Sequence, residues 1–390
     1  MPKVLVLTSV HQPFDTRVFH KEARTLAAHG YDVTLVAPVD RAETAVHGVR
    51  ILGLPRARRR WQRIGLWWRI LRIALRVRAA IVHIHDPELL PLAVLLQALT
   101  RRPVVYDAHE WYADKMLLRG WIPARLRPLA RRMVLALEPF LARRLAAVVT
   151  ADHLTTAELE RRGVRNVVTL YNYPLADICD PPSFERFREG SDAGPRLVYV
   201  GVVGEDRGIW PMLEAMACLS QELGLDAHLD ILGDVRVASL EPRIRQRVAD
   251  LGLGDCVHLA GYVPHEQLRD HLPKAHFGFL ACRPELCALN IPTKMFEYMA
   301  AGLPVVATRA NTTSFFLDQV PAGVLIDSQD GRAYAAEIAR LWRDRAALEA
   351  MARAGRRAFE ERYNWDTESV KLLALYMRLL AEWPTAEHGR

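Results

Sequence analysis

Paired cysteines are what this sequence most plainly lacks. Its five cysteines, Cys179, Cys218, Cys256, Cys282 and Cys287, are scattered over 390 residues, with no CxxC pair and no cysteine–histidine cluster. That excludes a disulfide framework and a cysteine-based metal site, and it fits a reducing compartment. Long apolar runs are missing too. None approaches the roughly 18 charge-free residues of a spanning helix. The opening MPKVLVLTSVHQ has too short an apolar stretch for a secretory signal. The expectation is a cytoplasmic protein that meets a membrane only from its surface, at the inner face. There is also no GxGxxG fingerprint and no DxD pair placed for a metal.

What is present is ordinary globular composition, 51% apolar and 25% charged, in a chain long enough for two domains. The net charge of +7 hides an asymmetry. Residues 1–170 hold 28 basic and 14 acidic residues, so the remainder is net acidic. A basic half suits an anionic membrane or nucleic acid; no nucleic-acid reader motif is present, so nucleic acid is not expected.

Short apolar strands alternate with helices throughout. Strands are expected at 4–10, 32–38, 49–54, 81–86, 103–109, 147–151 and 166–172, with helices at 17–29, 62–79, 88–99, 124–146 and 153–162. This pattern predicts an α/β fold with a parallel sheet covered on both faces. Residues 173–195, rich in proline and glycine, read as a linker. The alternation restarts at 196–201 and continues through strands at 226–233, 256–261, 277–282, 304–308 and 323–327, ending in a helical tail. Two doubly wound domains, 1–172 and 196–365, place a ligand at the carboxyl ends of their strands. A terminal helix, 366–390, is expected to pack back on the first domain.

Two motifs carry chemistry. PTKMFEYMAAGLPVVAT (292–308) predicts a helix from Pro292 to a Gly302 cap, then a buried strand. Lys294 and Glu297 share a face of it. They form either a surface ion pair or a site, with the lysine on phosphate and the glutamate on ribose hydroxyls. YVGVVGEDRGI (199–209) is a strand, a Gly-rich loop and a helix start, whose backbone N–H groups, Gly204 among them, can face a phosphate. Arg207 adds a charge-assisted contact, and a purely structural turn is the competing reading.

Taken with SVHQPFDTRVFHKEARTLAAHGYDVTLVAP, IVHIHDPELLPLA and PVVYDAHEWY, these motifs resemble, in order and position, glycosyltransferase family 4, the group 1 retaining transferases. The resemblance covers nearly the whole chain and is weakest at 55–80 and 173–195. It implies the GT-B fold, two Rossmann-like domains facing a central cleft, and transfer of a sugar from a nucleotide-diphosphate sugar to a hydroxyl of a glycan or lipid-linked acceptor. It implies catalytic roles for His109, Arg207 and Lys294. It places Glu297, Gly204, Asn290, Thr293, Tyr262 and Val263 on the donor, with base contacts near Tyr262 and Val263 made through the main chain.

Three departures qualify it. Leu289 replaces an acidic residue, Val202 replaces an arginine, and HQPFDTR replaces a Gly-rich loop. Lys294 is inferred to take over the missing arginine's charge. His11, Asp15 and Arg17 follow the first strand and are candidates to position acceptor or sugar; a helix cap is the plain alternative for Asp15. His11 also admits an inverting mechanism with a histidine base. In the retaining mechanism the diphosphate accepts the acceptor's proton and the cations stabilise its charge, so no metal or other cofactor is expected.

Two basic amphipathic stretches, 56–78 and 124–146, suit an anionic membrane surface. In the first, Arg69, Arg72 and Arg76 form a stripe beside an apolar face of Trp61, Ile64, Trp68, Leu71 and Leu75. The rival functional readings are a nucleotide-sugar epimerase of the same fold and a noncatalytic nucleotide-sugar-binding protein.

Overall fold

The computed structural model describes residues 1–39, 43–56, 62–118, 120–187, 194–287 and 291–383. The chain divides into two compact units, Met1–Asn172 with the chain from Glu368, and Tyr173–Thr367.

The first unit is built on an eight-stranded sheet: β1 (Lys3–Leu7), β2 (Asp32–Pro38), β3 (Glu43–Val46), β4 (Val49–Leu54), β5 (Ile81–Ile84), β6 (Val104–Ala108), β7 (Ala147–Thr150) and β8 (Val167–Thr169). The order is β3-β4-β2-β1-β5-β6-β7-β8. Strands such as VLVL and VVYDA are buried on both faces, as a sheet covered by helices on both sides requires. One pairing departs from the expected parallel sheet: β3 runs antiparallel to β4 at the edge. His47 and Gly48 both take positive φ, 48° and 76°, making a two-residue hairpin turn. Half-exposed and polar, β3 carries too little apolar periodicity to be read from sequence.

The second sheet contains β9 (Arg196–Val200), β10 (His228–Leu232), β11 (Val257–Gly261), β12 (Phe277–Leu280), β13 (Val305–Thr308) and β14 (Gly323–Ile326), in the order β11-β10-β9-β12-β13-β14. Its core gathers Tyr199, Phe277 and Phe279 from the strands with Met212, Tyr334 and Trp342 from the helices. Residues 173–187 are part of this unit's packing rather than a free linker. Tyr173 lies edge-on to Phe296, and Phe187 is fully buried. A proline-rich segment without periodicity can still cover an apolar sheet edge, which is why periodicity does not reveal it.

In each unit the chain leaves the central strand in opposite directions, at β1/β5 in the first and β9/β12 in the second. Loops splay apart at such a point and open a crevice. Cys179, Cys218 and Cys256 are free thiols, whereas Cys282 is disulfide-bonded, a departure from the all-thiol reading.

Candidate functional site

The crevice of the second unit is set by one tyrosine. β9 and β12 pair only at Phe277–Leu197 and Gly278–Val198, then diverge. The Tyr298 hydroxyl spans the gap, accepting from Val200 N at 3.0 Å and donating to Phe279 O at 3.3 Å. Gly278 makes room, since a Cβ there would lie 2.3 Å from the Tyr298 ring. The helix Lys294–Ala300 is thereby pinned across the switch point with Lys294 and Glu297 at its start.

That helix begins two residues later than expected. Met295 N bonds to Pro292 O at 3.1 Å, so Pro292 opens a tighter turn and Thr293 occupies the cap position. With seven residues it is a short dipole, and the charge at this end comes mainly from Lys294. Gly302 closes it with φ 61°, as expected of a C-terminal cap.

Lys294 sits over the Tyr199 ring, 3.7 Å from the centroid, and makes no ion pair among the described residues. Burial, and then repulsion from Arg207, pull its pKa down to about 7; Glu297 and Asp206 oppose this only in part. Gly201 runs beneath it with φ 110°, and a Cβ there would come within 3.3 Å of Nζ. Arg207 ends a single turn over Glu205–Arg207, half-exposed, 3.5 Å from Asp206. Gly204 leads into that turn and Gly208 leaves it at φ 74° against the Ala281 backbone. Two cations therefore share one strand-end crevice with backbone N–H groups. Tyr262 is exposed and Val263 partly so, after β11. Asn290 and Leu289 lie outside the described residues.

The first unit's crevice is dense with charge. Asp86, just past β5, accepts from Thr8 Oγ1 and from the backbone N–H and hydroxyl of Ser9, locking the loop after β1. Asp15 caps the helix that follows, accepting from Arg17 N and Val18 N at 2.9 and 3.0 Å. Its other oxygen holds His11 Nδ1 at 3.2 Å. Cap and candidate site residue are the same side chain. Burial opposes charge on His11, but the Asp15 hydrogen bond and the carboxylates of Asp86, Asp15 and Asp107 outweigh it and raise its pKa. Asp15 falls to about 2, because its bonds to His11 and Val18 exceed the burial cost.

Arg17 does not reach a ligand position. It is buried, forks onto both oxygens of Asp107 at 2.8 and 3.2 Å, and gives its third arm to Leu170 O. It holds Asp107 at the foot of the crevice. The helix Thr16–Ala23 that carries it is π-wound, with His20 N bonded to Asp15 O. The wider turn brings Glu22 Oε1 to 3.0 Å from Arg17 Nε.

His109, after β6, lies beside His11 with the rings tilted and their centroids 4.8 Å apart, and its Nε2 lies 2.9 Å from His85 Nδ1. Burial lowers its pKa to about 4, against the pull of Asp107. His83, His85, Glu22 and Asp107 were not singled out by sequence reasoning. The signal was there in IVHIHD, where alternate histidines share one strand face.

Comparison with known proteins decides the family. The family described as "Glycosyl transferases group 1" matches residues 194–344, and "Glycosyl transferase 4-like domain" matches residues 16–173. The chain belongs to the group 1 glycosyltransferases. The chain is 28% identical over 206 residues to the amylovoran biosynthesis glycosyltransferase AmsK of Erwinia amylovora, covering 51% of this chain and 49% of that one. It therefore spans about half the length of that relative. It is 24% identical to the MMP alpha-(1->4)-mannosyltransferase of Mycolicibacterium hassiacum, over 76% of this chain and 71% of the relative. Its fold is GT-B. Sucrose-phosphate synthase from Thermosynechococcus elongatus superposes with a TM-score of 0.75 at 18% identity, over 98% and 99% of the two chains. HepE of Anabaena, solved with UDP and glucose, gives 0.72 at 15%, over 97% and 100%.

Proposed function

We propose that this glycosyltransferase moves a sugar, with retention, from a nucleoside-diphosphate sugar to a hydroxyl of a glycan or lipid-linked acceptor in cell-surface polysaccharide or glycolipid assembly. The observation that carries the reading is Lys294, a buried lysine that makes no ion pair among the described residues and feels the repulsion of Arg207 at a strand-end crevice. Such a pair is stabilised when an anion arrives. AmsK, named for amylovoran biosynthesis, and HepE, solved with UDP and glucose, support the choice of substrates.

In this reading Lys294, Arg207 and the Gly204 loop bind the diphosphate. Glu297 accepts the ribose hydroxyls, Thr293 and Asn290 flank the donor, and the main chain at Tyr262 and Val263 meets the base. His109 contacts the donor sugar, and His11, held by Asp15, positions the acceptor. The bond from the anomeric carbon to the diphosphate breaks while the acceptor oxygen attacks from the same face. The departing phosphate oxygen takes the acceptor's proton, and the two cations stabilise its charge. No metal is needed at the diphosphate.

The decisive experiment is product analysis over a panel of nucleotide sugars, with and without glycan and lipid-linked acceptors. Acceptor-dependent release of nucleoside diphosphate, with the anomeric configuration kept and His109→Ala slowed by roughly a hundredfold or more, is the expected result. An inverted anomer would move the base role to His11. Conversion without acceptor would make the protein an epimerase, and tight binding without turnover a noncatalytic binder.

We also propose that it works at an anionic membrane surface. No helix among the described residues is long and apolar enough to cross a membrane. The helix Trp67–Val77 buries Ile70 and Ala74 and leaves Trp68 and Leu75 exposed. Trp68, Arg69, Arg72 and Arg76 line an open groove of ≈ 920 Å³. The helix Arg127–Ala142 exposes a second stripe, Leu129, Met133, Leu137 and Phe140. Exposed apolar stripes at helical spacing beside arginines suit a headgroup layer. Vesicle co-sedimentation should show binding to phosphatidylglycerol but not phosphatidylcholine, lost in Arg69→Glu/Arg72→Glu; equal binding to both would sink the idea.

A further inference from the structure

Four buried side chains in the first unit converge. Glu22, His83, His85 and Asp107 are all fully buried. One ligand atom from each lies within 4.8 Å of the others. Among the described residues, both Glu22 oxygens, His83 Nε2 and His85 Nε2 have no hydrogen-bond partner, although Glu22 Oε1 lies 3.0 Å from Arg17 Nε. Two carboxylates here share one cation, Arg17. A buried negative charge left over after such a pairing is costly unless something positive accompanies it.

The histidines show what that is. His83 and His85 alternate on one face at β5 and its carboxyl end, rings stacked with centroids 4.6 Å apart. Each uses Nδ1 in a hydrogen bond, His83 with the Tyr376 hydroxyl at 2.8 Å and His85 with His109 Nε2 at 2.9 Å. Each keeps Nε2 without a partner. Metal-ligating histidines divide their nitrogens between the metal and an outer partner that fixes the ring; His85 has this division toward Glu22, while His83 faces Glu22 Oε2 with Nδ1, 3.8 Å away. Asp107 follows from the parallel register, in which His83 lies beside Val105 and Ile84 beside Tyr106, so His85 comes next to Asp107. Glu22 closes the cluster from the π-wound helix, its Oε2 3.8 Å from His85 Nε2.

We propose that Glu22, His83, His85 and Asp107 hold a divalent first-row transition-metal ion, zinc foremost. Two imidazoles and two carboxylates suit zinc, with manganese and cobalt as lesser fits. A tetrahedral zinc with bonds of about 2.1 Å holds its ligands about 3.4 Å apart, so the cluster closes on it with side-chain shifts of about 1 Å. Arg17 then serves as an outer partner that orients both carboxylates. Full burial leaves no open position for substrate, so the ion is structural, tying β5, β6 and the π-wound helix together. It is separate from the diphosphate chemistry and does not depend on glycosyl transfer.

The test uses the untagged full chain, dialysed against metal-free buffer. Elemental analysis should find about one zinc per chain. Cobalt exchanged into the site should give visible d–d bands, and extraction with a chelator should lower the melting temperature, restored by adding zinc back. His83→Asn and Glu22→Gln should each lower metal affinity at least tenfold. A chain that retains no metal and shows no cobalt bands on titration overturns the proposal; Glu22 then carries a proton donated to Asp107. Equal retention by both variants also overturns it, since the ion would lie elsewhere. If a variant fails to fold, the wild-type stoichiometry and cobalt spectrum still decide.

Discussion

The Lys294 ammonium rests over the face of the Tyr199 ring, 3.7 Å from its centroid, at the point where β9 and β12 part. The ring offers weak compensation for lost hydration, and Arg207 adds repulsion. The folded lysine titrates at about 7 rather than 10.5. Between those values the unfolded chain holds more protons, so unliganded stability rises with pH across that window, and the charged lysine is a cost below it.

Binding reverses the sign. A diphosphate favours the charged lysine, so affinity for UDP or GDP should fall as pH rises above about 7, by at most about tenfold per unit. Calorimetry in buffers of different ionisation heat should register proton uptake on binding. Lys294→Met should flatten this profile, weaken binding, and raise the melting temperature of the free protein at mildly acidic pH. A flat wild-type profile would refute the phosphate role.

Glu297→Ala should cost about 1.5–3 kcal/mol of nucleotide affinity, the range for hydrogen bonds to a charged group. The loss should vanish when a 2′,3′-dideoxynucleotide is the ligand. If the variant weakens both ligands equally, the glutamate serves the fold rather than the ribose.

Asp15→Ala removes a helix cap and the anchor of His11 together. Thermal denaturation should show a loss of about 1 kcal/mol, whereas turnover should drop with little change in nucleotide affinity. Asp15→Asn keeps the cap and should restore stability without restoring turnover; full activity in Asp15→Asn would show that only the cap matters.

Gly208→Ala strains a left-handed residue and drives a Cβ to 2.5 Å from the Ala281 backbone. It should destabilise by more than about 1 kcal/mol and displace Arg207, so nucleotide affinity falls as well. An alanine variant with wild-type melting and binding would remove the loop from the site.

Much of the framework was legible because parallel strands covered on both faces are short apolar runs, and those mark themselves in any sequence. Lys294 and Glu297 were legible as neighbours because helical spacing is local. The hairpin strand β3 was not, since its edge position demands little burial. Residues 173–187 were not, since their packing on the second unit follows no period. The burial of Arg17 was not legible, because the π-wound helix turns it inward onto Asp107.

By itself, then, the sequence determined two alternating α/β units and the residue types offered to an anion, because these depend on burial period and local spacing. Only the tertiary structure decided that Lys294 lies on the Tyr199 ring, that Asp15 caps a helix while holding His11, and that Glu22, His83, His85 and Asp107 meet. Those residues are brought together by strand register and helix winding, and contacts across such separations leave no period in the chain.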